Sequence, residues 1–285
     1  MQQGSVLHRV IGLFAIRWNI KNSGEISGIM LLFVTALLCS SLGGGLLWQQ
    51  DIPEERLQAL IALQAEMAGD AADQLPTAAE RVATRGFTTV DESYFDDALF
   101  IGDSLVTGLD IYGIIPNATY IASTGVNLDT LGSEGMVTLA DGRAVSMLQA
   151  IATCAVPGKI YVMLGTNGIN WQSIPTMIER YDELLQNLQT RFPQSLIYVQ
   201  SILPTTREVP LAQPGFAKEH LEAYNQQLEE LAADRGAVYL NLHGVLADAE
   251  GYLLSDVAGG DGIHMNHLGY ALWYAYLKEH ALVGP

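Results

Sequence analysis

The feature that most constrains the fold is an alternation of short apolar runs with longer amphipathic segments, which begins at Ala98 and continues towards the C-terminus. Apolar runs separated by helical patterns are typical of buried parallel strands that are covered by helices on both faces. We therefore predict an α/β fold with a parallel sheet for residues 96–285. The predicted strands are Ala98–Ile101, Thr119–Ile121, Lys159–Leu164, Leu196–Gln200 and Ala237–Asn241.

Three amphipathic segments between and after these strands are predicted to be helices. They are Ile174–Arg191, Phe216–Asp234 and Asn266–His280, and in the first of them apolar residues recur at spacings of three and four. In open parallel sheets ligands bind at the carboxyl ends of the strands. The polar residues that directly follow a strand are therefore the first candidates for a functional site.

An uncharged segment near the N-terminus predicts a membrane anchor. No residue from Ile26 to Gln50 is charged, and the run Gly28–Trp48 is almost wholly apolar. A helix of that length rises about 30 Å, which is the thickness of the hydrocarbon layer. Basic residues precede the run and acidic residues follow it, so the positive-inside rule places residues 1–27 in the cytoplasm. We expect a single-pass protein of the cell membrane, anchored by residues 28–48, with its remainder extracytoplasmic.

Three other interpretations of this segment remain open. A buried core helix would rarely run so long without a charge. A cleaved signal peptide is compatible with the small residues Ser41 and Gly43, although the leader would be unusually long. A lipoprotein signal is suggested by Cys39, but Leu38 stands where such signals have a small residue. A retained anchor agrees best with the sequence.

The segment after the anchor, residues 49–95, is predicted to be an acidic stalk, and charge restricts the partners of the whole chain. Residues 51–97 carry a net charge of −8, and the chain as a whole carries −17. Because nucleic-acid binding requires a basic surface, we expect no nucleic-acid partner. The two cysteines, Cys39 and Cys154, exclude both a disulfide framework and a four-cysteine zinc site. The sequence leaves the oligomeric state open.

Four short blocks carry residues that are suited to chemistry, and each also has a structural explanation. Ser104 follows a strand in Gly-Asp-Ser and enters a helix, where Asp103 and Ser104 could simply cap it. Gly125 could bring a backbone N–H close to a ligand, and Asn167 could offer a side-chain N–H₂ or form an Asx-turn. In Asp261-Gly-Ile-His264 the carboxylate is spaced to orient the imidazole.

In this order the four blocks resemble the SGNH (GDSL-type) hydrolase family over about Phe95–Ala281. The resemblance implies a flavodoxin-like three-layer α/β/α sandwich and a serine esterase mechanism without a metal or cofactor. It implies that Ser104 is the nucleophile, His264 the general base and Asp261 the residue that orients the imidazole. The oxyanion hole would be formed by Ser104, Gly125 and Asn167. The family often has Asp after the asparagine, and this chain has Gly168 instead.

Metal binding is the competing interpretation of the last block, with Asp261, His264 and His267 as ligands. It would leave the serine and asparagine blocks unexplained, so we expect no metal. The loops Leu203–Gly215 and Asp129–Gly142 follow strands at the catalytic edge, and neither contains a long apolar run.

The absence of an apolar run in these loops disfavours a deep acyl-chain channel. An outward-facing anchored enzyme is suited to a small acyl group on an envelope glycan, and a lysophospholipid is the second possibility because the anchor holds the site near lipid. Two further functions remain open: an O-acyltransferase that uses the same acyl-enzyme, and an inactive binding module.

Overall fold

The computed structural model describes residues 86–139 and 141–283. Within these residues the central sheet has five strands, all parallel, and a separate antiparallel hairpin has two. In chain order the strands are β1 (Ala98–Gly102), β2 (Thr119–Ala122), β3 (Val137–Thr138), β4 (Ala144–Val145), β5 (Lys159–Met163), β6 (Leu196–Gln200) and β7 (Val238–Leu240). The five predicted strands form the central sheet, and their ends differ from the prediction by one residue at most. The hairpin β3–β4 was not predicted.

Helices lie between the strands of the sheet, and two more follow its last strand. In chain order they are α1 (Ser104–Ile111), α2 (Met147–Thr153), α3 (Ile174–Arg191), α4 (Val209–Ala212), α5 (Lys218–Asp234), α6 (Leu242–Leu246) and α7 (His267–Glu279). The predicted bounds of α3 are confirmed. Helix α5 begins two residues later than predicted because Pro214–Phe216 forms a separate 3₁₀ turn. Helix α7 begins at His267 because the side chain of Asn266 accepts the N–H groups of Leu268 and Gly269 as an N-cap.

Successive side chains of a strand point to opposite faces of the sheet, and both faces are apolar, so the sheet has a hydrophobic core on each side. Ile101 and Val162 pack in one cluster with residues of α3 and α5, whereas Phe100, Tyr161 and Tyr198 pack in the other with residues of α1 and α7. The rings of Phe100 and Tyr161 stack with centroids 4.6 Å apart, and those of Tyr161 and Tyr198 with centroids 4.5 Å apart. The three layers predicted from the sequence are therefore present.

The strand order determines where a site can form. The sheet runs β2-β1-β5-β6-β7, which is the flavodoxin-like order, and its direction of winding reverses beside β1. Ligands in such sheets bind outside the carboxyl ends of the strands at this switch point. Three of the four sequence blocks follow β1, β2 and β5, which are neighbours in the sheet.

The folded domain begins earlier than residue 96, so the predicted stalk 49–95 is too long at its C-terminal end. Thr88 pairs with Ala281, and the Val90 N–H donates to the Lys278 carbonyl over 2.9 Å. Phe95 is wholly buried. The charged residues between Val90 and Phe95 resemble a solvated spacer in the sequence, but the apolar residues on either side of them pack on the domain.

The predicted cytoplasmic segment 1–27, the predicted anchor 28–48 and the stalk up to residue 85 lie outside the described residues. Among the helices that the structure describes, none combines the length and apolar character needed to cross a membrane.

Candidate active site

The turn from β1 into α1 holds Ser104 at the carboxyl edge of the sheet. Gly102 ends the strand, and a Cβ atom there would lie 2.6 Å from the Met163 carbonyl oxygen of the neighbouring strand, so the close turn requires glycine. Asp103 is the N-cap, and its Oδ1 accepts the Leu105 N–H over 3.0 Å. Ser104 is the first residue of the helix, where backbone N–H groups have no partner inside the helix and favour negative charge.

His264 connects Ser104 to Asp261. The distance from His264 Nε2 to Ser104 Oγ is 2.8 Å, and that from Nδ1 to Asp261 Oδ2 is 2.6 Å. A carboxylate beside Nδ1 favours the tautomer with the proton on Nδ1, which leaves Nε2 free to accept the Ser104 hydroxyl proton. The structure therefore brings together the three residues for which the family resemblance implies the roles of nucleophile, base and orienting acid.

Asp261 is held in place by the backbone of its own loop. Its Oδ1 accepts the N–H groups of Ile263 over 3.0 Å and His264 over 2.9 Å. Partial burial opposes ionisation of this carboxyl, but the hydrogen bonds from the imidazole and from these N–H groups outweigh it and hold the pKa of Asp261 below its usual value. Asp261 is therefore a carboxylate at neutral pH, as an orienting acid must be.

Gly125 and Asn167 leave the two strands that flank β1. Gly125 has φ of +80°, a left-handed conformation that favours glycine. The Asn167 Nδ2 donates to the Val126 carbonyl over 2.9 Å, which ties the asparagine side chain to the segment of Gly125. This bond uses one of the two amide protons and leaves the other for a ligand. Asn167 is thus bonded to the residue that follows Gly125, the other residue predicted for the oxyanion hole besides Ser104.

The metal interpretation of the last block finds no support in the geometry. Both ring nitrogens of His264 are engaged, one with Asp261 and the other with Ser104. His267 is exposed at the start of α7, and its ring meets the ring of Tyr112 edge to face at 5.8 Å. No group of three His, Cys, Asp or Glu side chains in the described ranges is arranged to hold a metal ion.

Asp103 has a second property that its position in the sequence did not reveal. The residue is wholly buried, and its Oδ2 makes no hydrogen bond of normal geometry among the described residues, although the Thr166 side chain lies near it. Burial raises the pKa of Asp103 to about 6, although the Leu105 N–H and the nearby His264 favour the charged form. An aspartate that caps a helix is normally solvated, so only the packing around it identifies this carboxyl as unusual.

The loop Leu203–Gly215 contacts the site, as its place after β6 suggested. The Thr206 N–H donates to the Gly262 carbonyl over 2.9 Å, between Asp261 and His264. The Gly215 N–H donates to Asn170 Oδ1 over 2.8 Å, close to the turn of Asn167. Arg207 ties the same loop to Asp248, at 3.0 Å, and to Glu250. The loop therefore supports both the base segment and the asparagine segment.

Comparison with known proteins agrees with this geometry. The sequence profile of the GDSL-like lipase/acylhydrolase family matches residues 100–272, which is more than half of the chain. The chain belongs to this family. It is accordingly a GDSL hydrolase, and the matched range contains all five residues predicted for the site. No curated protein shows a significant match to the chain.

Solved structures share the fold of this GDSL hydrolase. A protein from Streptococcus pneumonia, assigned provisionally as a platelet activating factor, is 21% identical with a TM-score of 0.54, over 79% of this chain and 95% of that one. A GDSL-like lipase from Bacteroides thetaiotaomicron is 11% identical with a TM-score of 0.50, over 75% of this chain and 95% of that one. At such identities the likeness establishes the fold alone.

Proposed function

We propose that this GDSL hydrolase is a serine esterase in which Ser104 attacks the carbonyl carbon of a carboxylic ester. The observation that carries the proposal is the continuous chain of hydrogen bonds from Asp261 through His264 to Ser104, at 2.6 and 2.8 Å. A serine, a histidine and a carboxylate in this arrangement form the catalytic group of acyl transfer to water on several unrelated folds.

In the first half of the reaction the ester is converted to an acyl-enzyme. Ser104 Oγ bonds to the carbonyl carbon while its proton passes to His264 Nε2, and Asp261 stabilises the imidazolium that results. The tetrahedral intermediate collapses when the alkoxide leaves and takes the proton from Nε2. The free alcohol then departs, and the acyl group remains on Ser104.

In the second half His264 removes a proton from water, and the hydroxide adds to the acyl carbon. Ser104 leaves with the proton from Nε2, so that the products are a carboxylic acid and the original enzyme. In both halves the oxyanion would be bound by the N–H groups of Ser104 and Gly125 and by the Asn167 amide. One such donor is typically worth about 3 kcal/mol of transition-state stabilisation.

We further propose that the enzyme is anchored by residues 28–48 and acts outside the cytoplasm on small acyl groups. The uncharged segment and the basic residues before it support the anchor. The exposed fractions of the His264 and Asp261 side chains, 42% and 52%, support a site that is open to the substituents of a large molecule. An acylated envelope glycan and a lysophospholipid both fit these observations.

Hydrolysis of p-nitrophenyl acetate by the full chain tests the mechanism. We expect Ser104→Ala to lower kcat/KM by roughly 10⁴-fold, because the base and the oxyanion hole cannot replace the nucleophile. Ser133→Ala, which removes an exposed hydroxyl elsewhere, is the matched control and should leave the rate unchanged. Equal rates for wild type and Ser104→Ala would contradict the mechanism. If an added alcohol gave acylated product faster than free acid, the protein would instead be a transferase.

A further inference from the structure

A groove of about 430 Å³ is lined by residues of two segments that also carry candidate site residues, and no residue of the proposed triad lines it. It lies between α1, the end of β2 and the strand β3, and we call it the α1 groove. Its volume falls in the range of small-molecule sites. Most of its lining side chains carry polar groups, namely Thr107, Asp110, Tyr120, Ser123, Thr124 and Thr138.

The groove begins at two of the catalytic segments. Thr107 is three residues after Ser104 on α1, and residues at this spacing lie on the same face of a helix, about 5–6 Å apart. Thr124 directly precedes Gly125, whose N–H is proposed for the oxyanion hole. The lining of the groove therefore begins one helical turn from Ser104 and one residue from Gly125.

The polar groups of the groove are largely available to a ligand. In the described ranges the hydroxyls of Ser123, Thr124 and Thr138 and the carboxylate of Asp110 have no hydrogen-bonded partner. Tyr120 and Thr107 differ. The Tyr120 hydroxyl donates to the Ile115 carbonyl over 3.0 Å, which fixes the ring in the wall, and the Thr107 hydroxyl donates to the Asp103 carbonyl over 3.1 Å. The groove thus offers three free hydroxyls and one free carboxylate on a fixed frame.

The charge of the lining selects the ligand class. Among the lining residues Asp110 is an anion, and none is Lys or Arg. A carboxylate accepts hydrogen bonds from neighbouring hydroxyls of a polyol, and the ring of Tyr120 with Val137 offers an apolar wall for the C–H groups of a sugar. An anionic phospholipid head group would place its phosphate near Asp110 without a cation to compensate, which is unfavourable.

We propose that the α1 groove binds the sugar part of the ester, so that the substrate is an acylated carbohydrate. The proposal rests on the esterase function above and names the substrate class of that site. In the first half of the reaction the bond between the acyl carbon and the sugar oxygen breaks. The sugar oxygen takes the proton from His264 Nε2, and the free sugar leaves through the groove. Water then supplies the oxygen of the released acid.

The test compares a mono-O-acetylated methyl glucoside with p-nitrophenyl acetate, using the full chain. The measured quantity is kcat/KM for the sugar ester divided by kcat/KM for the aryl ester. We expect Asp110→Asn to lower this ratio about tenfold, since a hydrogen bond to a charged group is lost. Thr138→Val, which keeps the shape and removes a hydroxyl, should lower it about threefold.

The matched control is Asp234→Asn, which neutralises a carboxylate at the end of α5, where the chain is about to enter β7 at the opposite edge of the sheet. It should leave the ratio unchanged. An unchanged ratio in both groove variants would overturn the proposal, as would a lysophosphatidylcholine that is hydrolysed faster than the sugar ester. Failure of the esterase function would be recognised separately, because Ser104→Ala would then hydrolyse the aryl ester as fast as the wild type.

Discussion

The two halves of the proposed active site, which we name after the proposed roles of their residues, are built in different ways. The nucleophile half, Gly102–Ser104, lies at the end of a central strand, and its Asp103 is wholly buried. The base half, Asp261–His264, lies on an irregular loop where both functional side chains are about half exposed. One half takes its position from the sheet and the other from local hydrogen bonds. The proposed reaction would thus depend on one segment that belongs to the buried core and on one segment that lies at the surface.

The base half is ordered by short-range contacts. Asp261 accepts two N–H groups of its own turn, and the Gly259 N–H donates to the His264 carbonyl over 2.7 Å. None of these contacts requires the side chain of His264 to be buried. We therefore expect substitutions here to affect catalysis with little effect on folding, and the opposite balance in the nucleophile half.

The largest expected effect is on catalysis in the base half. Asp261→Asn keeps the oxygen that accepts the two backbone N–H groups but places an amide beside Nδ1, which favours the wrong tautomer of His264. We expect kcat to fall about 10⁴-fold. The free energy of unfolding should change by less than about 0.5 kcal/mol, because the side chain is half exposed. Steady-state kinetics and urea unfolding measure the two quantities.

Asp256→Asn is the control for that substitution, since it alters an exposed carboxylate in the same loop and should affect neither quantity. A large loss of stability in Asp261→Asn would contradict the distinction between the two halves.

The next effect is on stability in the nucleophile half. In Gly102→Ala the new methyl group would meet the Met163 carbonyl and the Val106 side chain, so that β1 or α1 must shift. We expect a loss of at least about 3 kcal/mol in the free energy of unfolding, together with a loss of activity. Gly260→Ala, directly before the base half, has open space around the added Cβ and should cost less than about 0.5 kcal/mol. Similar losses for the two variants would remove the contrast.

The pH dependence of stability distinguishes Asp103, whose pKa is raised in the folded protein, from Asp261, whose pKa is lowered. The pKa of Asp103 rises from its usual 3.8 to about 6 in the folded protein, so the folded state binds more protons than the unfolded state between these pH values. This residue therefore lowers stability as the pH rises through about 6, by about 3 kcal/mol in full.

Asp103→Asn keeps the oxygen that caps α1 and removes the charge. We expect it to be more stable than wild type by about 2–3 kcal/mol at pH 8, with the difference disappearing near pH 4. Urea unfolding at the two pH values measures this, and an equal difference at both would show that the buried charge is not the cause.

The smallest effect concerns the loop that supports the base half. Arg207→Ala removes the ion pairs with Asp248 and Glu250, and because the arginine is exposed to solvent we expect only a small loss of stability. Loss of support at Thr206 and Gly262 should lower kcat a few-fold. Arg180→Ala, an equally exposed arginine paired with Asp129 and Glu183, should leave kcat unchanged. Equal kcat values in the two variants would contradict a supporting role for the loop.

Much of the sheet could be predicted because buried parallel strands are apolar throughout and leave an uninterrupted signal. Position alone made Ser104, Asp261 and His264 candidates, and the resemblance of all four blocks to the SGNH family assigned their roles. The hairpin β3–β4 was missed because two-residue strands leave no periodic pattern. The domain start was missed because Asp91 and Glu92 obscure the apolar residues on either side.

Other parts of the site leave no pattern in the sequence. The bond from Asn167 to Val126 uses a backbone carbonyl, which every residue possesses, so no residue type marks it. The burial of Asp103 follows from the elements that pack around it, and the α1 groove from the approach of β3 to α1. These features are products of tertiary packing, and only a structure reveals them.

Covalent labelling of the full chain tests the central claim most directly. A fluorophosphonate phosphonylates an activated serine and releases fluoride, and mass spectrometry then locates the modified residue. We predict one label per chain, on Ser104, with none in Ser104→Ala and a much slower reaction in His264→Ala. Labelling of a different serine, or equal labelling of wild type and Ser104→Ala, would contradict the assignment of Ser104 as the nucleophile.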